Sequence, residues 1–505
     1  MATADMDQSI SSYIQKLILE VMDKAGAIGL TSKQLASKIE KPESEILNLL
    51  KILEQKNDIT RIGRSLWIIT TYKDLQKDQL FVPPNYYTKK FREMYNVKIV
   101  NYRKKITFSG NGSKIIHRWS PYVQGFSAQF VDDMLSRYQI RREQWVLDPF
   151  VGSGTVSVCA KMKGINSLGI DLMPLMTFMA KVKTRWNINI SEVKNELIKV
   201  KSLWRERKKT NPPFLRETTR QFQHDVLDNL LIIKKSILEI KNERIRDLFK
   251  LALASILVEC SNLKRSPCLG YAKNKNVSKE TPFILFEEKV RQMIFDLSIV
   301  QKNVKNQGES EIILGDAKKI NLSPETFHIA ITSPPYVNGM DYIINYKIEM
   351  AWLGLVRDYR DLYEFKKHMV ACDNIPKKVT RSFSSTTNSY EDEWLEDIID
   401  RIKKRIKQKG NYRRDDMHII VRKYFDDIYQ IFSKVYDSLK EGGHFVVVIG
   451  DSLIAGVYVP ADLILARMGK EIGFSIESVE KARQRRSGQR RDFILRECIV
   501  TLVKE

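Results

Sequence analysis

The residues best placed to do chemistry fall in two short strings, Asp148-Pro149-Phe150-Val151-Gly152-Ser153-Gly154-Thr155 and Thr332-Ser333-Pro334-Pro335-Tyr336. In the first, an apolar strand at Trp145–Leu147 runs into Asp148-Pro149-Phe150, and two glycines precede a helix predicted from about Thr155 to Lys163. Gly152 and Gly154 lack the Cβ atoms that would keep a ligand off the backbone. The helix start at Thr155 adds free N–H groups suited to a carboxylate. Two glycines, rather than the three of a dinucleotide fingerprint, disfavour a pyrophosphate and suit a nucleoside-bearing ligand. The next strand ends in Asp171, some 20 residues beyond the glycine turn, where one carboxylate can accept from both hydroxyls of a ribose. The second string closes another apolar strand, His328–Thr332. Consecutive prolines fix φ and carry no N–H, so the carbonyls of the turn stay available as acceptors. The carbonyl of Pro334 can take one hydrogen of an exocyclic amine and Ser333 Oγ the other, while Tyr336 offers a face on which a flat ring can stack.

Such turns need a sheet to hold them. Strand signals occur at Trp145–Leu147, Ser167–Ile170, Ile312–Leu314, His328–Thr332, His444–Ile449, Phe474–Val479 and Cys498–Val503, with helical patterns between. They predict an α/β fold: a seven-stranded, mostly parallel sheet with an antiparallel pair at one edge. Two insertions interrupt it. Residues 187–310 read as mainly helical, and 354–423 carry the polar run Arg381–Tyr390 and the very basic Arg401–Arg414. Connections this long are functional or disordered. Residues 1–75 form a unit of their own, with helices at Ile10–Met22, Gln34–Ile39 and Glu43–Gln55 and a hairpin of Ile59–Ile62 with Ser65–Ile69. Residues 76–114, with Pro83-Pro84 and the basic, tyrosine-bearing Tyr86–Lys105, are expected to be a basic linker.

Bulk properties narrow the partners. The 84 Lys+Arg against 61 Asp+Glu give a net charge of +23, which implies an anionic partner, nucleic acid or a membrane surface. No run of about 18 apolar residues predicts a membrane span, and the N-terminus lacks the pattern of a signal peptide. The 5 cysteines are scattered without a Cys-x-x-Cys pair and the 6 histidines do not join them, so a reducing cytoplasm and no structural metal are expected.

Together, the glycine string and Ser333-Pro334-Pro335-Tyr336 resemble the cofactor and catalytic motifs of S-adenosylmethionine-dependent amino-methyltransferases, which methylate exocyclic amines of DNA bases. The resemblance covers roughly residues 115–186 and 311–505. It implies a Rossmann-like methyltransferase domain at 115–505, interrupted by helical insertions. S-adenosylmethionine would lie against Asp148, Pro149, Phe150, Gly152, Gly154, Thr155 and Asp171, with Asp316 beside the adenine amine. Tyr122, Phe126 and Ser127, in the segment His117–Ser127, would cover the methionine and its sulfonium, the aromatics by cation–π contact. Ser333, Pro334, Pro335 and Tyr336 would be catalytic, acting on a base flipped out of the duplex. In this family Ser at the head of the turn usually accompanies cytosine-N4, and Asp or Asn usually adenine. The implied activity is therefore N4-cytosine methylation of double-stranded DNA, in a restriction–modification setting with a cognate restriction endonuclease. N6-adenine methylation, amino-methylation of RNA bases, and a DNA-binding regulator with an inactive fold stand as alternatives.

Other segments extend the resemblance. Val337–Trp352 resembles the family's flank of the pocket, Leu439–His444 its glycine turn before the fifth strand, and Asp451-Ser452 faces the same crevice. Ala482–Phe493, with five arginines around Ser487-Gly488-Gln489, looks like a basic hairpin tip at the rim of a DNA cleft. The N-terminal unit resembles a winged helix-turn-helix, whose third helix and wing would bring Lys51, Lys56, Arg61 and Arg64 to phosphates. Either insertion could read the target sequence.

Overall fold

The computed structural model describes residues 13–22, 30–55, 58–62, 66–69, 80, 82–102, 104, 106–122, 124–266, 268–339, 341–383, 389–410, 412–487 and 493–505. At the N-terminus a helix over 13–22 precedes β1 (Leu30–Thr31), helices Ser32–Ile39 and Glu43–Gln55, β2 (Ile59–Ile62) and β3 (Leu66–Ile69). The strands form a small sheet in the order β1-β3-β2. Thr31 starts the second helix with a reciprocal cap: its Oγ1 accepts from Gln34 N–H at 3.2 Å, and its own N–H donates to Gln34 Oε1 at 2.9 Å. Ile18, Leu35, Ile46, Leu50 and Trp67 close a separate apolar core. Residues 10–12, Lys56 and the Gly63-Arg64 turn lie outside the described residues.

The main sheet is built from β4 (Ile99–Asn101), β5 (Trp145–Asp148), β6 (Asn166–Asp171), β9 (Ser310–Leu314), β10 (Phe327–Thr332), β11 (Leu439–Gly450), β14 (Phe474–Arg486) and β15 (Ile494–Lys504). Between them lie two small hairpins, β7 (Leu263–Arg265) with β8 (Leu269–Tyr271), and β12 (Ser452–Ile454) with β13 (Val457–Val459). The order is β4-β14-β15-β11-β10-β5-β6-β9. Strands β9, β6, β5, β10 and β11 run parallel, and β15 is antiparallel to both β11 and β14. The chain steps outward from β5 to β6 and β9, then returns to the other side of β5 as β10. This reversal opens a crevice at the carboxyl ends of β5 and β10, the place where open α/β sheets bind ligands.

The sheet has eight strands rather than seven, because β4 arises inside the segment expected to be a linker. It pairs parallel with β14, Ile99 opposite Val479. The helix before it, Pro84–Tyr95, buries Tyr87 and Phe91, spaced four apart on one face, in the main core. Two apolar anchors outweigh the basic composition that suggested a linker. Strand β14 also continues to Arg486, well past Val479, so Arg483 and Arg485 sit on strand rungs and not at a hairpin tip; residues 488–492 of that tip lie outside the described residues. The expected glycine turn at Leu439–His444 falls within the irregular start of β11, where Gly442 has φ +70° and the register with β10 shifts between Phe327 and Ile329.

Segment 187–310 contributes helices Ile190–Trp204, His224–Leu238, Glu243–Ile256 and Thr281–Asn303, which pack into one core with helix Tyr342–Leu353. In 354–423 the first part of the basic run, Arg401–Lys409, lies on helix Glu393–Lys409, whose Trp394, Leu395, Ile398, Ile399 and Ile402 are buried. Its cations occupy the remaining face of an amphipathic helix. No described helix is long and apolar enough to cross a membrane.

Candidate functional site

Two cavities open at the crevice. The smaller spans about 630 Å³, its open mouth included, and is lined by Pro149, Phe150, Asp171, Met173, Met176, Asp316 and Ile431, among others. The larger spans about 1680 Å³, its open mouth included, and is lined by Phe108, Pro121, Phe126, Tyr336, Arg483, Arg485 and Glu497, among others. Tyr122, Ser333 and Tyr342 line both, so these three residues form the shared wall.

In the smaller cavity Asp171 ends β6 and is held by backbone donors, Gly152 N–H at 3.1 Å and Met173 N–H at 2.8 Å. Burial nonetheless raises its carboxyl to a pKa of about 6, with those backbone donors opposing the rise. Asp316, just after β9, receives Lys318 N–H on Oδ1 at 3.1 Å. Its buried Oδ2 has no hydrogen-bond partner, with Lys318 Nζ 3.7 Å away. One acceptor of this pocket is thus presented without a donor.

Several residues of the glycine string serve the protein rather than the cavity. Gly152 and Gly154 have φ of +50° and +83°, as the turn requires. A Cβ on Gly152 would lie 3.1 Å from Tyr122 Oη, and one on Gly154 would lie 3.0 Å from Ala180 Cα. The missing side chains therefore admit the Tyr122 ring and helix Pro174–Thr184, not a ligand directly. Thr155 is buried at the first position of its helix. Asp148 does not line either cavity: its Oδ1 accepts from Thr332 Oγ1 at 2.7 Å and from Phe150 N–H at 3.1 Å. Burial raises it to about 7, opposed by those two hydrogen bonds.

The expected lid divides in the same way. Tyr122 stands in the shared wall, stacked with Tyr346 at a centroid distance of 5.9 Å. Phe126 lines only the larger cavity, and Ser127 caps helix Ala128–Arg137 by accepting Phe130 N–H at 3.1 Å. Ser127 is buried and lines neither cavity, because the cap fixes its hydroxyl on the helix.

At the end of β10, Tyr424 Oη donates to the Pro335 carbonyl at 2.8 Å and fixes it inward. Among the described residues no donor reaches the Pro334 carbonyl, and Ser333 Oγ has no protein partner. The Tyr336 ring lies against the end of β11, where a Cβ on Gly450 would come within 2.7 Å of its Cε2. Arg485 stands over the ring, its Cζ 5.5 Å from the centroid. Burial, then the Glu497 carboxylate, holds the Tyr336 phenol well above its usual range.

Sequence reasoning missed part of the site. His368, Met369 and Val370, from the second insertion, wall the smaller cavity, and Lys318 Nζ donates to the His368 carbonyl at 2.8 Å. A wall made of backbone and ordinary apolar side chains carries no motif. Tyr342 lay in a segment noted as flanking the pocket, without a role. Arg483, Arg485 and Glu497 were legible in principle: once β14 is extended, 483 and 485 fall on one face and the register sets Glu497 opposite Arg483. Asp451 faces a buried network instead of the crevice, with Arg496 Nε 3.0 Å from its Oδ2 and 2.8 Å from Asp462 Oδ2.

No protein-family model matches the chain. It is similar to the Type II methyltransferase M.BsoBI of Geobacillus stearothermophilus, 24% identical over 427 residues that span 76% of this chain and 83% of that protein. It is similar to the same degree, 24% over 424 residues, to the Type II methyltransferase M.AvaI of Nostoc sp., across 77% of this chain and 85% of that protein. Among solved structures, a TehB-like SAM-dependent methyltransferase from Corynebacterium glutamicum matches 75% of this chain and 86% of its own, at 9% identity and a TM-score of 0.24.

Proposed function

We propose that this chain is an S-adenosylmethionine-dependent DNA methyltransferase that modifies the exocyclic N4 amine of cytosine in duplex DNA, as the modifying partner of a restriction endonuclease in the cytoplasm. The observation that carries the reading is Ser333, which borders both cavities, so an amine bound at the head of the turn lies where the two meet. The similarity to two Type II methyltransferases over three quarters of the chain supports it.

The smaller cavity suits the cofactor. Asp171 has the position to accept from ribose hydroxyls, and Asp316 Oδ2, without a hydrogen-bond partner, suits the adenine amine. Met173, Met176 and Ile431 provide apolar contact for the purine, and Tyr122 and Tyr342 offer aromatic faces toward the sulfonium. When bound, S-adenosylmethionine supplies an electrophilic sulfonium methyl. The protein's part is to position the nucleophile. The target base must leave the duplex to reach the larger cavity. Tyr336 stacks on it, and the free acceptors at Pro334 and Ser333 take its two amine hydrogens. Those hydrogen bonds turn the nitrogen lone pair toward the shared wall, and the proton displaced from nitrogen leaves along one of them. Alignment of two bound reactants provides much of the acceleration. The excess of cationic side chains serves the phosphates, and the N-terminal helices and hairpin act as an additional winged-helix contact to DNA.

The test is tritium transfer from labelled S-adenosylmethionine into plasmid DNA, followed by mass spectrometry of the nucleosides. N4-methylcytosine is the expected product. N6-methyladenine would overturn the assignment of the base, and label in tRNA without label in DNA would overturn DNA as substrate.

A further inference from the structure

We infer that Arg485 reads the acceptor edge of the target base, a specificity-determining role that rests on the reading of the larger cavity given above. Arg483 and Arg485 lie two residues apart on the same face of β14 and both border that cavity. Their circumstances differ. Arg483 is consumed by Glu497, with Nε and Nη2 each 2.9 Å from a separate carboxylate oxygen. Arg485 donates through Nη2 to the backbone carbonyl of Asp451, and among the described residues no carboxylate pairs with it. Its Nε is buried and has no hydrogen-bond partner. A guanidinium carries five donors and no acceptor, so a residue that lines a cavity with donors to spare, one of them partnerless, has capacity for an acceptor from outside the protein.

The neighbours define that acceptor. The Arg485 guanidinium stands over the Tyr336 ring, its Cζ 5.5 Å from the centroid, within cation–π range. A ring packed beside it on the tyrosine can bring an edge to the guanidinium. The same ring must direct its amine to Ser333 and the Pro334 carbonyl. In cytosine the amine is followed around the ring by N3 and then O2, two acceptors in sequence. Adenine follows its amine with N1 and then a C–H, which leaves a donor of a two-pronged cation unsatisfied. Thymine places a carbonyl where the amine should be, acceptor against acceptor. A site with a buried donor rejects a ligand that lacks the matching acceptor, because that donor is then stripped of water without replacement. Arg485 thus completes on the ring edge what Ser333 begins at the amine. A cation placed there favours binding and orientation of the neutral base; it does not assist methyl transfer itself, since the amine nitrogen gains positive charge in that step.

The experiment is a substrate–enzyme cycle on a duplex whose modified cytosine has been located from the wild-type product. That cytosine is replaced by 3-deazacytosine, in which N3 becomes C–H and the amine is retained. For wild type, Arg485→Ala and Arg485→Lys, kcat and KM are measured on both duplexes. S-adenosylhomocysteine affinity and the thermal midpoint are measured in parallel. The replacement is expected to raise the wild-type KM about tenfold, the equivalent of one lost hydrogen bond of roughly 1.4 kcal/mol. In Arg485→Ala the KM for ordinary cytosine rises by a similar factor, and 3-deazacytosine then costs less than twofold more. Arg485→Lys, which keeps the charge but not the fork, falls between. An equal penalty for 3-deazacytosine in wild type and Arg485→Ala overturns the inference while leaving DNA methylation intact. Failure of the wild-type enzyme to label DNA, or labelling of adenine, overturns the functional reading itself. Should Arg485→Ala lose its fold, as the thermal midpoint reports, the Arg485→Lys cycle decides on the same criterion.

Discussion

In the smaller cavity Asp171 already has both carboxylate oxygens engaged, by Gly152 and Met173 N–H groups at 3.1 and 2.8 Å, whereas Arg485, which lines the larger cavity, has an Nε without a hydrogen-bond partner. The glycine turn beside Asp171 is packed against Tyr122 and Ala180. On the other side of Ser333, Gly450 and Arg485 flank the Tyr336 ring. One pocket is largely preorganised by the fold. The other pairs Arg483 with Glu497 but leaves an Arg485 donor for something that must come from outside. A preorganised pocket loses little ordering entropy on binding, so the proposed cofactor should bind without DNA, while the second pocket completes its hydrogen bonding only with a base inside.

The contrast can be broken most sharply at Tyr336. Tyr336→Ala should lower methyl transfer about 100-fold, near the upper end of the roughly 1–3 kcal/mol of a stacked base, with S-adenosylhomocysteine affinity changed less than twofold by isothermal titration. If both fall together, the cavities are not independent. Asp171→Asn should do the reverse, weakening cofactor binding about 30-fold as one charge-assisted acceptor is lost, while DNA binding by gel shift is unchanged. The pH response sharpens the same point. Only the ionised Asp171 accepts from two hydroxyls, and its pKa lies at about 6, so cofactor affinity should fall about tenfold between pH 7 and pH 5. Asp171→Asn should flatten that profile. The same carboxyl contributes to folding stability with the opposite sign. Its pKa is raised from near 3.9 in an unfolded chain, so its contribution is full below that value and lost as pH rises through about 6. The smallest effect is expected at Gly450→Ala. Its Cβ would meet Tyr336 Cε2 at 2.7 Å and push the ring into the larger cavity, with an expected fivefold rise in the KM for DNA and no change in cofactor affinity.

These differences also govern how much could be read from the sequence. Strands β5, β6, β10 and β11 are short apolar runs ended by turn residues, a local signal, and so Asp148, Asp171 and the Ser333 turn could be placed at strand ends. The β4 strand could not, because Ile99–Asn101 has strand character only through its pairing with β14. The role of Gly152 depends on Tyr122, thirty positions earlier, and no local pattern predicts that contact. Arg485 read as part of a basic hairpin tip because β14 was cut at Val479; its place on a strand rung follows from the long pairing with β15. His368–Val370 reach the smaller cavity from an insertion that the sequence marked as a candidate reader of the target. In short, residues held by their own strand were legible, and residues held by a distant partner were not.

The hydrogen bond from Thr332 to Asp148 joins positions 184 residues apart in the chain. The spacing between the glycine turn and the Ser333 turn is therefore set by one rung of the sheet and not by the polypeptide that connects them. That connection can lengthen, shorten or be exchanged without retuning the distance across which a methyl group would pass. It also makes the protein divisible: two polypeptides separated by a cut in an exposed connector of segment 187–310 still carry the complementary edges of β5 and β10, and should reassemble into one working crevice.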